Sequence, residues 1–517
     1  MSNKFKGFIA ANKKILAIGL AVVLVSTGVI LGIVLTRTPR SSILRIRNWD
    51  YFMDRSLVQE FQRQWRIESG DSRFRVDYNL FSDNEDLHRM MSRNRADFDL
   101  VVPSEYMVEK MIANDLLKPL ELHRLPELTT LVPTAAGPVR AFNPDVIDPY
   151  ITSAMLEVTN GVHFAVPYVY GTLGIVYDRS IEGLSDFVVA NGWRSLFAQR
   201  HTSTNNWLEE THANQNSWRQ SVKNIGRDTY TVALLAYFQD RLLGYIEDDE
   251  YEYYDELMHE IFSGVRNDEG MFDKETMEEL RDIAHGVLMA LPRDVMFEGP
   301  DQLLNDMYRF AGTSATNSSR RAVFGVEWSV SAVFAKYLNV SEGFQETSQV
   351  GFHIPDAGTN LWINSLVIPR RARNLDAAYA FINFIKTGEV AVENSFTHCG
   401  ATPLLGAASD VMDMLVYGVS GFAPGATHTS TRSELEAARD AYTGGELTLQ
   451  EMNEQIEGFI SWQDMLRASF PRSFGTLEGG ASGNFNLGGI FRYFSDGLDI
   501  EIDLMLNRVR IATRQAR

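Results

Sequence analysis

The sequence predicts an α/β protein of two or more lobes, preceded by an amino-terminal membrane-spanning helix. Three observations carry that reading. The 517-residue chain is 45% hydrophobic and 22% charged, an ordinary globular composition but too long for a single core. Residues 43–112 alternate strand and helix patterns, the signature of a parallel sheet flanked by helices. Residues 15–35 form a charge-free apolar run of 21 residues. As a helix rising roughly 1.5 Å per residue, that run spans about 30 Å, the hydrocarbon thickness of a bilayer.

The elements follow in order. Residues 1–14 are a basic segment with Lys4, Lys6, Lys13 and Lys14 ahead of the apolar run. Thr36-Arg37-Thr38-Pro39-Arg40 follows the run, with no small-residue cleavage site, so an uncleaved signal anchor is expected. The lone cysteine, Cys399, lies far downstream. It rules out a disulfide framework and lipid attachment next to the anchor. Residues 43–47 read as a short strand. Residues 56–66 place Leu57, Val58, Phe61 and Trp65 on one helical face. Phe74, Val76, Tyr78 and Leu80 alternate like a half-buried strand. Residues 84–94 are helical, 98–102 a strand, and Met107, Val108, Met111 and Ile112 the stripe of the next helix. A strand at 172–177 leads into a mostly helical second lobe. A polar Trp- and Asn-rich loop is expected at 205–221, and an acidic, Tyr-rich solvated helix face at 247–256. A strand at 361–369 crosses back, followed by a helix at 375–386. Residues 418–430 read as linker, 433–470 as helical, and 476–489 as mobile and glycine-rich.

Charge and motif content exclude several classes. Residues 41–517 carry 42 Lys/Arg against 67 Asp/Glu, a net −25, which opposes nucleic acid as a partner. There is no Gly-x-Ser-x-Gly elbow, no His-Glu-x-x-His, no Walker loop and no dinucleotide fingerprint, so no enzyme is expected. The histidines are scattered. The nearest pair, His201 and His212, falls in a polar loop, so neither a metal nor another cofactor is expected.

What remains is a series of short motifs at predicted strand ends: Ile46-Arg47-Asn48-Trp49, Asp97-Phe98-Asp99-Leu100-Val101-Val102-Pro103-Ser104-Glu105-Tyr106, Val166-Pro167-Tyr168-Val169-Tyr170-Gly171, Gly325-Val326-Glu327-Trp328, and Leu361-Trp362-Ile363-Asn364-Ser365-Leu366-Val367-Ile368-Pro369. Ligands of parallel sheets bind beyond the carboxyl ends of the strands, and Trp49 and Ser104 fall there. Ser104 is also placed to cap the following helix. Converging aromatic faces with a few polar groups make a small-molecule cleft that attracts organic cations.

The order and wording of these motifs, over residues 43–405, resemble the spermidine/putrescine-binding proteins of ABC importers. The resemblance implies a type II, two-lobed periplasmic-binding-protein-like fold. Lobe 1 would comprise 43–171 and the return segment 363–404. Lobe 2 would comprise 172–362 and 405–517, the latter with an inserted helical and glycine-rich extension. It also implies ligand contacts from Trp49, Ser104, Tyr106, Trp328 and Trp362. Asn48-Trp49-Asp50-Tyr51 stands where the family has Asn-Trp followed by an acid and Tyr, making Asp50 and Tyr51 candidates. Asn364 replaces the family's acid in Trp-x-Asp-Ser-Leu. Gly226-Arg227-Asp228 retains Asp228 as the second of two family acids. The implied function is capture of a polyamine or similar organic cation and delivery to an ABC permease and its ATPase. The chain would be anchored once in the cell membrane with its bulk extracellular or periplasmic. Two surviving acids suit a ligand with one or two positive charges better than spermidine. A thiamine-like cation, a neutral solute, or a surface interaction role with transport lost are the other readings.

Overall fold

The computed structural model describes residues 40–49, 52–93, 97–135, 137–179, 181–197, 219–264, 273–291, 295–298, 322–332, 350–395, 402–408, 488–489, 492 and 496–515. The expected anchor at 15–35, the linker at 418–430, the helices at 433–470, His201, His212, Asp50 and Tyr51 lie outside them. Among the described residues no helix is long and apolar enough to cross a membrane.

Strand β1 (Ile43–Asn48) leads into α1 (Arg55–Ser69), β2 (Arg75–Leu80), α2 (Asn84–Ser92), β3 (Leu100–Val101) and α3 (Glu105–Ala113). Asp54 starts α1 by accepting the Ser56 N–H, and Gly70 ends it at φ +69°, a conformation glycine adopts without strain. β1 pairs in parallel with both β2 and β3, Ile46 opposite Leu100. The ends of β1 and β3 therefore share one edge, and Trp49 and Ser104 follow them. At the opposite end, buried Asp99 accepts the backbone N–H groups of Arg45, Arg373 and Asn374 and pairs with Arg40. The first acids of that motif are structural.

After the hairpin β4 (Thr129–Val132) and β5 (Val139–Phe142) and helix α4 (Pro149–Val158), a 14-residue strand, β6 (Ala165–Asp178), is buried along its whole length. The separate strand expected at 172–177 is its second half. Both faces are covered, so the run is continuously apolar and does not alternate. The second lobe holds α5 (Leu184–Asn191), β7 (Gln220–Lys223), α6 (Gly226–Glu247), α7 (Tyr251–Ser263), α8 (Lys274–Met289), β8 (Met296–Glu298), β9 (Phe324–Trp328) and β10 (Val350–His353). β7 corrects the loop expected through residue 221. α7 is not only a solvated face, because Tyr254 is fully buried in it.

β11 (Thr359–Val367) returns antiparallel to β6 and is followed by α9 (Leu375–Ile385) and α10 (Gly388–Asn394). β12 (Gly488–Gly489) pairs with Thr359 and Asn360, so these last glycines of the 476–489 stretch are held in a sheet. Helix α11 (Asp496–Gln515), which sequence periodicity did not single out, packs on α6 and α8. The sheet order is β2-β1-β3-β11-β6-β9-β7-β8, with β10 also on β6. β6 and β11 are thus common to two cores. One lobe buries Leu44, Phe61, Phe381 and Ile382 on one face of its sheet and Val101, Met107, Met111 and Ile151 on the other. The second buries Trp193, Leu234, Phe262 and Phe324. Each such buried side chain contributes roughly 1.5–3 kcal/mol.

The β6–β11 ladder slips between Asn364 and Ser365, so that Asn364 faces Val169 and Ser365 faces Pro167. Pro167 has no N–H for the ladder, and a bulge is where a strand accommodates that. The Ser365 N–H goes to the Pro103 carbonyl instead, at 3.0 Å. This local detour brings Asn364 to the end of β3.

Candidate functional site

Four lobe-1 side chains, Asn84, Ser104, Tyr106 and Asn364, converge where β3 ends. The Ser104 hydroxyl donates to Asn364 Oδ1 at 2.7 Å. The Asn84 amide donates to Ser104 Oγ and to the Tyr106 hydroxyl, both at 3.0 Å. The Tyr106 hydroxyl donates to Glu85 at 3.2 Å. Ser104 stands at the N-cap of α3 but makes no side-chain cap bond, because its hydroxyl is committed to Asn364. The expected capping role is corrected accordingly. Asn84, first residue of α2 and buried, was not anticipated; its only sequence signal is an amide at a helix start just after a strand.

Glu105 is the second residue that motif reasoning passed over. It is fully buried, and its Oε2 accepts the Ile363 N–H at 2.7 Å. Its Oε1 has no hydrogen-bond partner among the described residues. Burial pushes this carboxyl up to about 8, against the pull of Arg227. At neutral pH it is largely protonated and counts as a neutral group.

The lobe-2 side is charged. Asp228, in the first turn of α6, is buried. Its carboxylate takes a hydrogen bond from the Trp328 side chain. Oδ2 has no partner among the described residues. Burial raises this carboxyl to about 6, opposed by nearby Lys223 and Arg227. Lys223, at the end of β7, and Glu327, on β9, form a fully buried ion pair. The Lys223 ammonium lies 4.2 Å from the centre of the Trp328 ring. The Arg227 guanidinium lies 4.0 Å from the centre of the Tyr106 ring, where it also donates to Asp499 at 2.7 Å and to the Arg492 carbonyl at 2.8 Å. Arg492 in turn reaches Glu109 and Glu157, each at 2.9 Å.

Trp49 is half-buried, its ring 4.5 Å from that of Phe81. Trp362 on β11 is buried, edge-on to Phe52 at 6.1 Å. Neither indole N–H has a hydrogen-bond partner among the described residues. A Cβ at Gly171 would run into the Trp362 ring and the Ser329 hydroxyl, so glycine is required where the strands cross. The structure thus joins Ser104, Tyr106 and Asn364 in one network through Asn84. It joins Asp228 to Trp328 in another, and Arg227 on Tyr106 brings the two together. Trp49 and Trp362 are linked to these networks by position rather than by a hydrogen bond.

Two α/β lobes sharing two crossing strands, with aromatic and polar groups gathered beside the crossing, define a solute receptor. Residues 75–411 match the family described as bacterial extracellular solute-binding protein, and the chain belongs to that family, whose members bind solutes and are not enzymes. Among its relatives is the putrescine-binding periplasmic protein PotF of Escherichia coli, 22% identical over 391 residues, covering 72% of this chain and 82% of PotF. Another is the putrescine-binding periplasmic protein SpuD of Pseudomonas aeruginosa, 22% identical, covering 71% of this chain and 82% of SpuD. The crystal structure of the spermidine/putrescine ABC transporter substrate-binding protein PotD from Streptococcus pneumoniae has the same fold. Its TM-score is 0.52 at 18% identity, covering 91% of this chain and 99% of that one.

Proposed function

We propose that this protein is the receptor of an ABC importer for a small organic cation of the polyamine class. The observation that carries the reading is Asp228. This buried carboxylate accepts the Trp328 indole N–H and keeps one oxygen without a partner among the described residues, which is costly unless a donor or cation meets it. The names of PotF and SpuD point to the same ligand chemistry. Trp49, Tyr106, Trp328 and Trp362 would wall the ligand, with Asp50 and Tyr51 beside Trp49. Ser104 and Asn364 would exchange hydrogen bonds with it, and Asp228 would balance its charge. The lobes, divided as 43–171 with 363–404 and 172–362 with 405–517, would close by a hinge at the β6–β11 crossing near Gly171 and Asn364. Residues 15–35 would anchor the chain outside the cytoplasmic membrane, in reach of the permease and ATPase to which it delivers.

The test is a thermal-shift panel of putrescine, agmatine, spermidine, thiamine and neutral solutes on the purified chain. A micromolar ligand at millimolar concentration adds roughly 4 kcal/mol to the folded state, a visible shift. A shift with an amine and none with neutral solutes is expected. A shift with a neutral solute alone, or with nothing, would reject the cation reading.

A further inference from the structure

The Lys223 side chain has the chemistry of the proposed ligand. It is a primary ammonium on an alkyl stem, it lies against the Trp328 face, and it is paired with a buried carboxylate. Those are the contacts by which a protein holds an alkylammonium from solution. Lys223 and Glu327 approach from two strands of the same sheet, 104 positions apart, and both are buried. The pair is therefore built into the fold and is not a surface accident. Asp228 is close enough to feel the same ammonium and still keeps one oxygen without a partner among the described residues.

We propose that Lys223 is a tethered ammonium that fills one cationic subsite of the cleft and so restricts the ligand to amines with at least one positive charge fewer than spermidine. The inference rests on the amine-receptor reading given above and names the ligand within that class. Among the described residues on this side, Lys223 pairs with Glu327. Arg227 is balanced separately by Asp499 at 2.7 Å. That leaves Asp228, with one oxygen lacking a partner among the described residues, to meet a ligand ammonium. A third amine would have to share the Trp328 face with Lys223, and two ammonium groups at one site repel strongly when desolvated.

The experiment compares the wild-type chain with Lys223→Ala, using calorimetry with putrescine, spermidine and ethylamine. Wild type should prefer putrescine to spermidine by at least tenfold and bind ethylamine at least tenfold more weakly than Lys223→Ala does. Lys223→Ala vacates the stem and frees Glu327. It should gain at least tenfold for spermidine relative to putrescine and bind ethylamine, which mimics the missing side chain. Saturating ethylamine should then restore the preference for putrescine. Should Lys223→Ala fail to fold, the double variant Lys223→Ala/Glu327→Gln carries the test, because it leaves no unpaired buried acid at that pair. It should still bind ethylamine beside Asp228. A folded variant that binds no ethylamine and keeps the wild-type selectivity overturns the proposal. If wild type binds neither polyamine, the receptor reading fails, while ethylamine binding to the variant still decides on the subsite by itself.

Discussion

The two sides of the candidate site solve the same problem differently. On the lobe-1 side, Asn84, Ser104, Asn364 and Tyr106 form a network of neutral hydrogen bonds ending on an exposed carboxylate, Glu85. On the lobe-2 side, Lys223, Glu327, Arg227 and Asp228 are buried charges laid against aromatic rings. The neutral side can exchange one hydrogen-bond partner for another at small cost. The charged side cannot, because each buried ion depends on its counter-ion. In the proposed receptor, lobe 1 would set the shape and orientation of the ligand and lobe 2 its charge.

Breaking the charged side should have the largest effect. Glu327→Ala leaves Lys223 buried without its carboxylate and should destabilise the fold by about 3–5 kcal/mol, measured by urea unfolding. A cost no larger than that of a surface pair would show that the pair is solvated. The next effect is on pH dependence. The raised carboxyls of Glu105 and Asp228 bind protons more tightly in the folded state than in the unfolded chain. Their stabilisation is full below the ordinary carboxylate values. It is lost as pH rises, through about 6 for Asp228 and about 8 for Glu105. The Tm of the unliganded protein should therefore fall by several degrees between pH 5 and pH 8.5. Glu105→Gln should flatten the upper part of that fall, and an unchanged slope would clear Glu105 of it.

On the neutral side, Ser104→Ala removes the donor to buried Asn364 Oδ1 and should cost ~1–2 kcal/mol in thermal or chemical unfolding. A neutral result would mean that the Asn364 amide finds another partner. The smallest change should come from Asn364→Asp, which adds a charge to the neutral wall while keeping the Ser104 bond. It should raise affinity for more highly charged amines relative to putrescine by a few-fold, read by competition calorimetry. Unchanged selectivity would confine charge discrimination to lobe 2.

The two sides were also unequally legible in the sequence. Trp49, Ser104, Tyr106 and Asn364 sit in motifs at strand ends, and helices such as α3 and α9 announced themselves by apolar stripes. Local pattern therefore places Trp49 and Ser104 at strand ends, while Tyr106 and Asn364 are singled out only by the family resemblance. Lys223 could not be found this way. It lies just beyond a polar Trp- and Asn-rich stretch that reads as loop, and its partner Glu327 is 104 residues away. Glu327 was visible only as the residue before Trp328, and Glu105 only as the variable position before Tyr106. Burial gives both their importance, and burial of a single carboxylate has no period to detect. The strand expected at 172–177 is only the second half of β6, and the close approach of Trp362 makes Gly171 necessary within that continuous strand. Helix α11 was missed because its apolar positions are interspersed with acids and arginines, and packing on α6 and α8 gives it its place.

The measurement that bears most directly on the account is calorimetric titration of putrescine into the wild-type chain and Asp228→Asn at pH 7.5. The account predicts binding by wild type and a loss of at least tenfold in Asp228→Asn, about 1.4 kcal/mol or more, with the fold retained. Equal affinity in the two proteins, or no binding by wild type, would contradict it.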